Sequence, residues 1–131
     1  MRALLIVASI LFAACTAGGA PSNQPFADIP VPAGWRAYTR DSVVIQSPKV
    51  TAGKLVYFAE SPVDATLDQA RTLLRGAGWR ETKSERFVNA DKFAGVWADF
   101  AKGQDYCRIT VTEGSGMQQV DITVARPNAA R

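Results

Sequence analysis

Histidine is absent from all 131 residues, and that gap narrows the chemistry more than any residue that is present. General acid–base work near neutral pH would have to come from a strongly displaced carboxylate, lysine or thiol. Cysteine is almost as scarce, with only Cys15 and Cys107. Cys15 closes an apolar N-terminal stretch, so Cys107 has no second thiol to resolve it and no imidazole to activate it. A buried structural thiol is expected there. Glycine-rich phosphate loops, metal-ligand clusters and Ser/His/Asp sets are missing. Asp28, Asp64, Asp91 and Asp121 lie at turns or alternate with apolar residues, without the spacing that pairs carboxylates. The 15 Lys/Arg are scattered against 12 Asp/Glu, and the lack of any basic run argues against nucleic acid. These absences point to a non-enzymatic protein with no catalytic residue, no cofactor and no metal.

What is there begins with the N-terminus. Arg2 supplies a short positive region, and Ala3 to Phe12 an apolar run of about ten residues, half the roughly twenty needed to span a bilayer as a helix. Ala13 and Ala14 then lead into Cys15. This resembles the lipobox of bacterial lipoproteins, except that Phe12 stands where leucine is usual and Leu11 falls one place early. The resemblance implies cleavage before Cys15 and acylation of its thiol, with residues 1–14 as the signal. Three acyl chains would hold the protein to a membrane, since each buried methylene contributes about 0.8 kcal/mol. Thr16, rather than aspartate, follows the cysteine, which by similarity to enterobacterial sorting implies the periplasmic face of the outer membrane. The alternative is an ordinary secretory signal cut after Ala17 or Ala20, releasing the protein into the periplasm.

Removing the signal leaves about 117 residues, enough for one domain and too few for two. Residues 15–27 read as the lipidated cysteine and a flexible tether, because their Ala/Gly/Pro/Ser composition cannot bury enough surface to order itself. Residues 28–127 form a single domain and 128–131 a tail. Alternating Pro30 and Pro32 impose an extended entry, docking Ile29, Val31 and Trp35 on the domain edge.

The β-branched run Ser42–Ser47 and the doubly apolar run Lys54–Glu60 predict a hairpin, turning through Val50–Gly53, with the second strand central. A helix follows. Thr66 and Gln69 fit a capping box, with Asp64 an alternative cap. Leu67, Ala70, Leu73, Leu74 and Ala77 share one face, Arg71 and Arg75 the other, and Gly76 or Gly78 ends it. Charge-laden Trp79–Val88 reads as an edge strand. A turn at Gly103-Gln104 sets Phe100 opposite Cys107, Ala98 opposite Ile109 and Val96 opposite Val111, and puts Asp99 opposite Arg108 on the other face. A second turn at Ser115-Gly116 sets Val111, Ile109 and Cys107 opposite Val120, Ile122 and Val124. The expected fold class is α+β: a single antiparallel sheet in the order β-β-α-β-β-β-β, with one amphipathic helix packed on one face.

The opener Asp28-Ile29-Pro30-Val31-Pro32 with Gly34-Trp35, the segment Gly53–Tyr57, Gly78-Trp79 after the helix, and Cys107–Val111 resemble a group of small, uncharacterised bacterial envelope lipoproteins. The helix-on-sheet pattern alone is similar to the domains of BamC, an accessory lipoprotein of outer-membrane protein assembly. Neither likeness carries an activity over to any residue.

Two functions are expected. One is a lipid-anchored, non-catalytic binding or assembly module with an envelope protein partner, using outward-facing Trp97, Tyr106 and Arg108, residue types common at interface hot spots. The other is a carrier of a small apolar ligand or lipid in a helix–sheet groove lined by Trp35, Tyr57, Phe58 and Trp79.

Overall fold

Period-two alternation of large apolar side chains builds most of this molecule. The computed structural model describes residues 26–128, so the signal, Cys15, the tether up to residue 25 and the tail from residue 129 lie outside the described residues. The strands are β1 (Arg36–Ala37), β2 (Val43–Gln46), β3 (Val50–Ala59), β4 (Arg80–Val88), β5 (Ala94–Lys102), β6 (Asp105–Thr112) and β7 (Gln118–Pro127), with helix α1 (Val63–Gly76) between β3 and β4. All seven strands make one antiparallel sheet, ordered β1-β3-β7-β6-β5-β4, with β2 also paired to β3. The fold is α+β, with a single α-helix.

The order expected from sequence starts one strand late. β1 is only two residues long and has no periodicity to read; it exists because Arg36 and Ala37 pair with Phe58 and Tyr57. The first hairpin also turns earlier than expected. Val50–Gly53 belong to β3, where Gln46 pairs with Thr51, and the turn is tightened by Ser47, whose N–H donates to the Val50 carbonyl at 2.9 Å.

From β5 to β7 the alternation wins outright. Phe100 faces Cys107, Ala98 faces Ile109 and Val96 faces Val111; Cys107, Ile109 and Val111 face Val124, Ile122 and Val120. All of these side chains are buried. A one-residue slip would turn every one of them to water, which is why the register is unique. The long-range step is β3 against β7, with Leu55 opposite Ile122 and Tyr57 opposite Val120. It makes β3 central, as its apolar run requires.

Helix α1 lies over β4, β5 and β6, burying Leu67, Ala70 and Leu74. Burial of each leucine contributes about 1.5–3 kcal/mol. Two expectations about it are corrected. The N-cap is Pro62, with Asp64 in the first turn. Thr66 is buried one turn further in, and its hydroxyl donates to the Ser61 carbonyl at 2.9 Å, so the capping box does not form. Leu73 is partly out in solvent, because it lies at the margin of the buried face that Leu67, Ala70 and Leu74 define.

The C-terminus resolves to Gly78 rather than Gly76. Gly78 adopts φ +91°; its N–H donates to the Arg75 carbonyl at 3.2 Å, and that of Trp79 to the Leu74 carbonyl at 2.9 Å. This is a Schellman closure, and a side chain at Gly78 would be strained. It drops Trp79 into the core beside Leu74.

The helix leaves the β3–β7 part of the inner face uncovered, and residues 26–35 close it. Phe26, Ile29 and Trp35 join the core cluster, with the Trp35 and Tyr57 ring centroids 6.0 Å apart. Phe26, expected in the tether, is 0 % exposed and packs against Gly53 and beneath the Arg126 guanidinium. Asp28 clamps the segment: Arg126 donates to both its carboxylate oxygens at 2.6 and 2.8 Å, and Trp79 Nε1–H donates to its carbonyl at 3.1 Å. At the other end Asn128, expected in the tail, is tied by its N–H to the Lys49 carbonyl at 2.8 Å.

Candidate interaction surface

On the sheet face away from α1 the strand register aligns outward side chains in rows across the strands. One row runs Val56, Asp121, Thr110, Trp97, Glu85; the next runs Val43, Lys54, Thr123, Arg108, Asp99, Lys83. Trp97 and Arg108 therefore sit diagonally adjacent across β5 and β6. The outward residues expected to form a surface are brought together, with Asp99 and Lys83 added.

Asp99 is the organiser. Arg108 grips its carboxylate with two N–H donors at 2.7 and 3.0 Å, and the Tyr106 hydroxyl donates to the same carboxylate at 2.8 Å. Those donors, the Arg108 guanidinium foremost, hold the Asp99 carboxyl below the usual range, and the hydrogen bond to Asp99 raises Arg108 in turn. Tyr106 is raised by partial burial and by the Asp99 charge. Fixed in this way, the Arg108 guanidinium stacks on the Trp97 ring, 3.9 Å from its centroid. Lys83 Nζ lies over the same ring at 5.6 Å.

Lys83 reaches the ring because of a bulge. The β4–β5 register shifts between Glu81 and Lys83, so Thr82 is an extra residue that restores the alternation. Beyond it Lys83 and Glu85 face out, while Arg86 turns toward the helix and donates to Asp64 at 2.7 Å. On the near side Glu81 meets Arg71 of α1 at 2.9 Å, so Arg71, expected on the solvent face of the helix, is a strap to the sheet. The charges that mark β4 as an edge strand are partly consumed in holding α1 down. Neither the bulge nor the straps had a signal in the spacing.

This cluster offers an ordered aromatic ring between two cations, with its neighbouring polar groups already paired. Such a patch loses little side-chain entropy on docking. The cluster holds no thiol. Cys107 is on the opposite face at 0 % exposure, and burial together with the charges of Asp28 and Asp99 pushes its thiol up to about 12. Among the described residues no group of three or more Cys, Asp or Glu is arranged to hold a metal ion.

The aromatics expected to line a groove do not share one. Trp35, Tyr57 and Trp79 fill the core. Phe58, the next residue after Tyr57, points to the other face and meets Tyr38 edge-on at 5.3 Å. The alternation of β3 separates them. Phe58 instead borders a depression of about 440 Å³ with Phe93, Met117, Asn89 and Glu113, at the sheet end remote from Tyr106.

The described region is thus an α+β domain whose seven-stranded sheet is covered on one face and open on the other. No protein-family model matches this chain, and no curated protein matches it.

Proposed function

We propose that this protein is a lipid-anchored binding or assembly module of the bacterial envelope, held by an acylated Cys15 on the periplasmic face of the outer membrane. In this reading it docks an envelope protein through the face around Trp97, Tyr106 and Arg108, without catalysis. The observation that carries the docking role is the Trp97 ring clamped by Arg108 at 3.9 Å on a sheet face that the helix leaves uncovered. Tryptophan, tyrosine and arginine together are the residue types that dominate interface hot spots, and here they are preorganised by Asp99. Support for the anchor is the lipobox-like run ending Ala13-Ala14-Cys15, and Thr16 after it supports the outer membrane. The similarity to small envelope lipoproteins agrees with both.

A photo-crosslinking residue at Thr110, next to Trp97 on the open face, tests the docking role in native envelopes, with one at Leu73 on the helix as control. A specific crosslink from Thr110 that Trp97→Ala abolishes is expected. A crosslink indifferent to Trp97→Ala removes this face from consideration. Incorporation of labelled palmitate, lost in Cys15→Ala, tests the anchor separately.

A further inference from the structure

We propose that the apolar end of the open sheet face, at β2, rests on a lipid surface bearing anionic headgroups. The inference builds on the anchored reading above and says which way the domain faces the bilayer.

The two sheet edges differ in make-up: β4 exposes one aliphatic side chain, Val88, amid charge, whereas β2 exposes three in a row. β4 carries charge, as an exposed edge does when it is kept from associating. β2 is Val43-Val44-Ile45-Gln46 with every residue exposed. Ile45 is 62 % and Val43 54 % exposed, and Val50 beside them 39 %. Val43, Ile45 and Val50 all project from the open face. The register extends their surface inward, since Ile45 shares a row with Ala52, Ala125 and Tyr106. Aliphatic side chains concentrated this way on a strand edge mark a surface that something covers.

Two observations name the cover. Charge is the first. Arg40, Lys49 and Lys54 are exposed around the patch, and Asp41 is the only acidic residue from 39 to 54. Aliphatic tips ringed by long cationic side chains suit the headgroup boundary, where the tips enter the acyl layer and the amines reach phosphates. A second copy pairing β2 with β2 in antiparallel fashion, with Val44 opposite Ile45, would instead set Arg40 against Lys49, cation against cation.

The path of the chain is the second. Phe26, where the described chain begins, packs under this same corner: a Cβ on Gly53 would lie 2.6 Å from its ring and 3.3 Å from the Val43 carbonyl. Gly53 pairs with Val44. Cys15 lies 11 residues before Phe26 in the sequence, so the chain cannot carry it further than about 40 Å from that corner. A lipid on Cys15 and the β2 patch would therefore meet the same bilayer. The Trp97 cluster, further along the face, stays available to a protein.

The test uses the mature chain purified from envelopes, and its Cys15→Ala form, each with vesicles of phosphatidylglycerol and phosphatidylethanolamine containing a photoactivatable phosphatidylglycerol. Label is expected on the peptides spanning 41–54 in both forms. Val43→Asn/Ile45→Asn is expected to reduce it roughly tenfold, while Val88→Asn on the opposite edge leaves it unchanged, and high salt weakens it. Label spread evenly, or concentrated on 94–108, overturns the proposal even if the chain carries palmitate. If wild type carries no palmitate the anchored reading falls, and label on 41–54 still decides the patch in either direction. A vesicle-free dimer abolished by Ile45→Asn, without label at 41–54, overturns it in favour of a second copy.

Discussion

Phe26 is the sharpest test of how this domain is built, because composition puts it in a tether and the fold puts it in the core. Its ring is fully buried, and truncating a buried phenylalanine to alanine costs about 3–5 kcal/mol, combining lost transfer energy with the cavity left behind. Against a total stability of about 5–15 kcal/mol, Phe26→Ala should lower Tm by about 12–24 °C at the smaller of those costs. The partner is Gly53. A Cβ there would sit 2.6 and 3.0 Å from two ring carbons of Phe26, so Gly53→Ala should cost about 1–3 kcal/mol by overpacking. With Phe26→Ala already made, the ring is gone and only the Val43 carbonyl, 3.3 Å from the added Cβ, stays close, so alanine should be about neutral, its gain of about 0.5–1 kcal/mol over glycine in a strand offset by that contact. The two changes should thus couple by at least about 1 kcal/mol. Urea unfolding of the four proteins, followed by tryptophan fluorescence and far-UV circular dichroism, measures the cycle. If Phe26→Ala stays within about 0.5 kcal/mol of wild type, as a tether position would, or if the two changes simply add, the packing of residues 26–35 onto β3 is refuted.

Two further outcomes follow from the titrating groups. Asp99→Asn should destabilise by about 1 kcal/mol near neutrality, a modest figure because Arg108 is 39 % exposed and solvent screens the pair. The Asp99 carboxyl is held low in the folded protein, so its contribution is complete above the unfolded value of about 3.9 and is lost as pH falls through the folded one. Stability curves of wild type and Asp99→Asn should run parallel above about pH 5 and converge below pH 4; parallel curves throughout would refute the assignment. Cys107, with its thiol raised to about 12, should be alkylated at pH 8 roughly a thousandfold more slowly in the native protein than in urea, and equal rates would contradict its burial.

The C-terminal meander was legible because each strand alternates over enough residues for three sets of pairings to agree. The same register placed Asp99 beside Arg108 and put both on the face of Trp97. Less visible was anything decided by a single residue at a distance. Phe26 is one aromatic among small and polar residues, and only the gap left beside α1, floored by Gly53, explains its burial. The Thr82 bulge has no pattern of its own, yet it decides that Lys83 covers Trp97 and that Arg86 reaches Asp64. Thr66 looked like a cap because hydroxyls do cap helices, but Pro62 starts this one a turn earlier.

Local pattern alone was sufficient for the α+β class, the helix with its glycine stop, the charged edge at β4 and the pairings from β5 to β7, since each depends on periodicity within one strand or across one short turn. Tertiary structure alone decided that β3 lies against β7, that residues 26–35 complete the inner face, and that Ile45, Ala52, Ala125 and Tyr106 share one row. Apart from the Ile45–Ala52 hairpin pair, those contacts join residues some 20 to 100 positions apart, where the choice among partners is made by how much apolar surface the whole sheet can bury at once rather than by any residue's own preference.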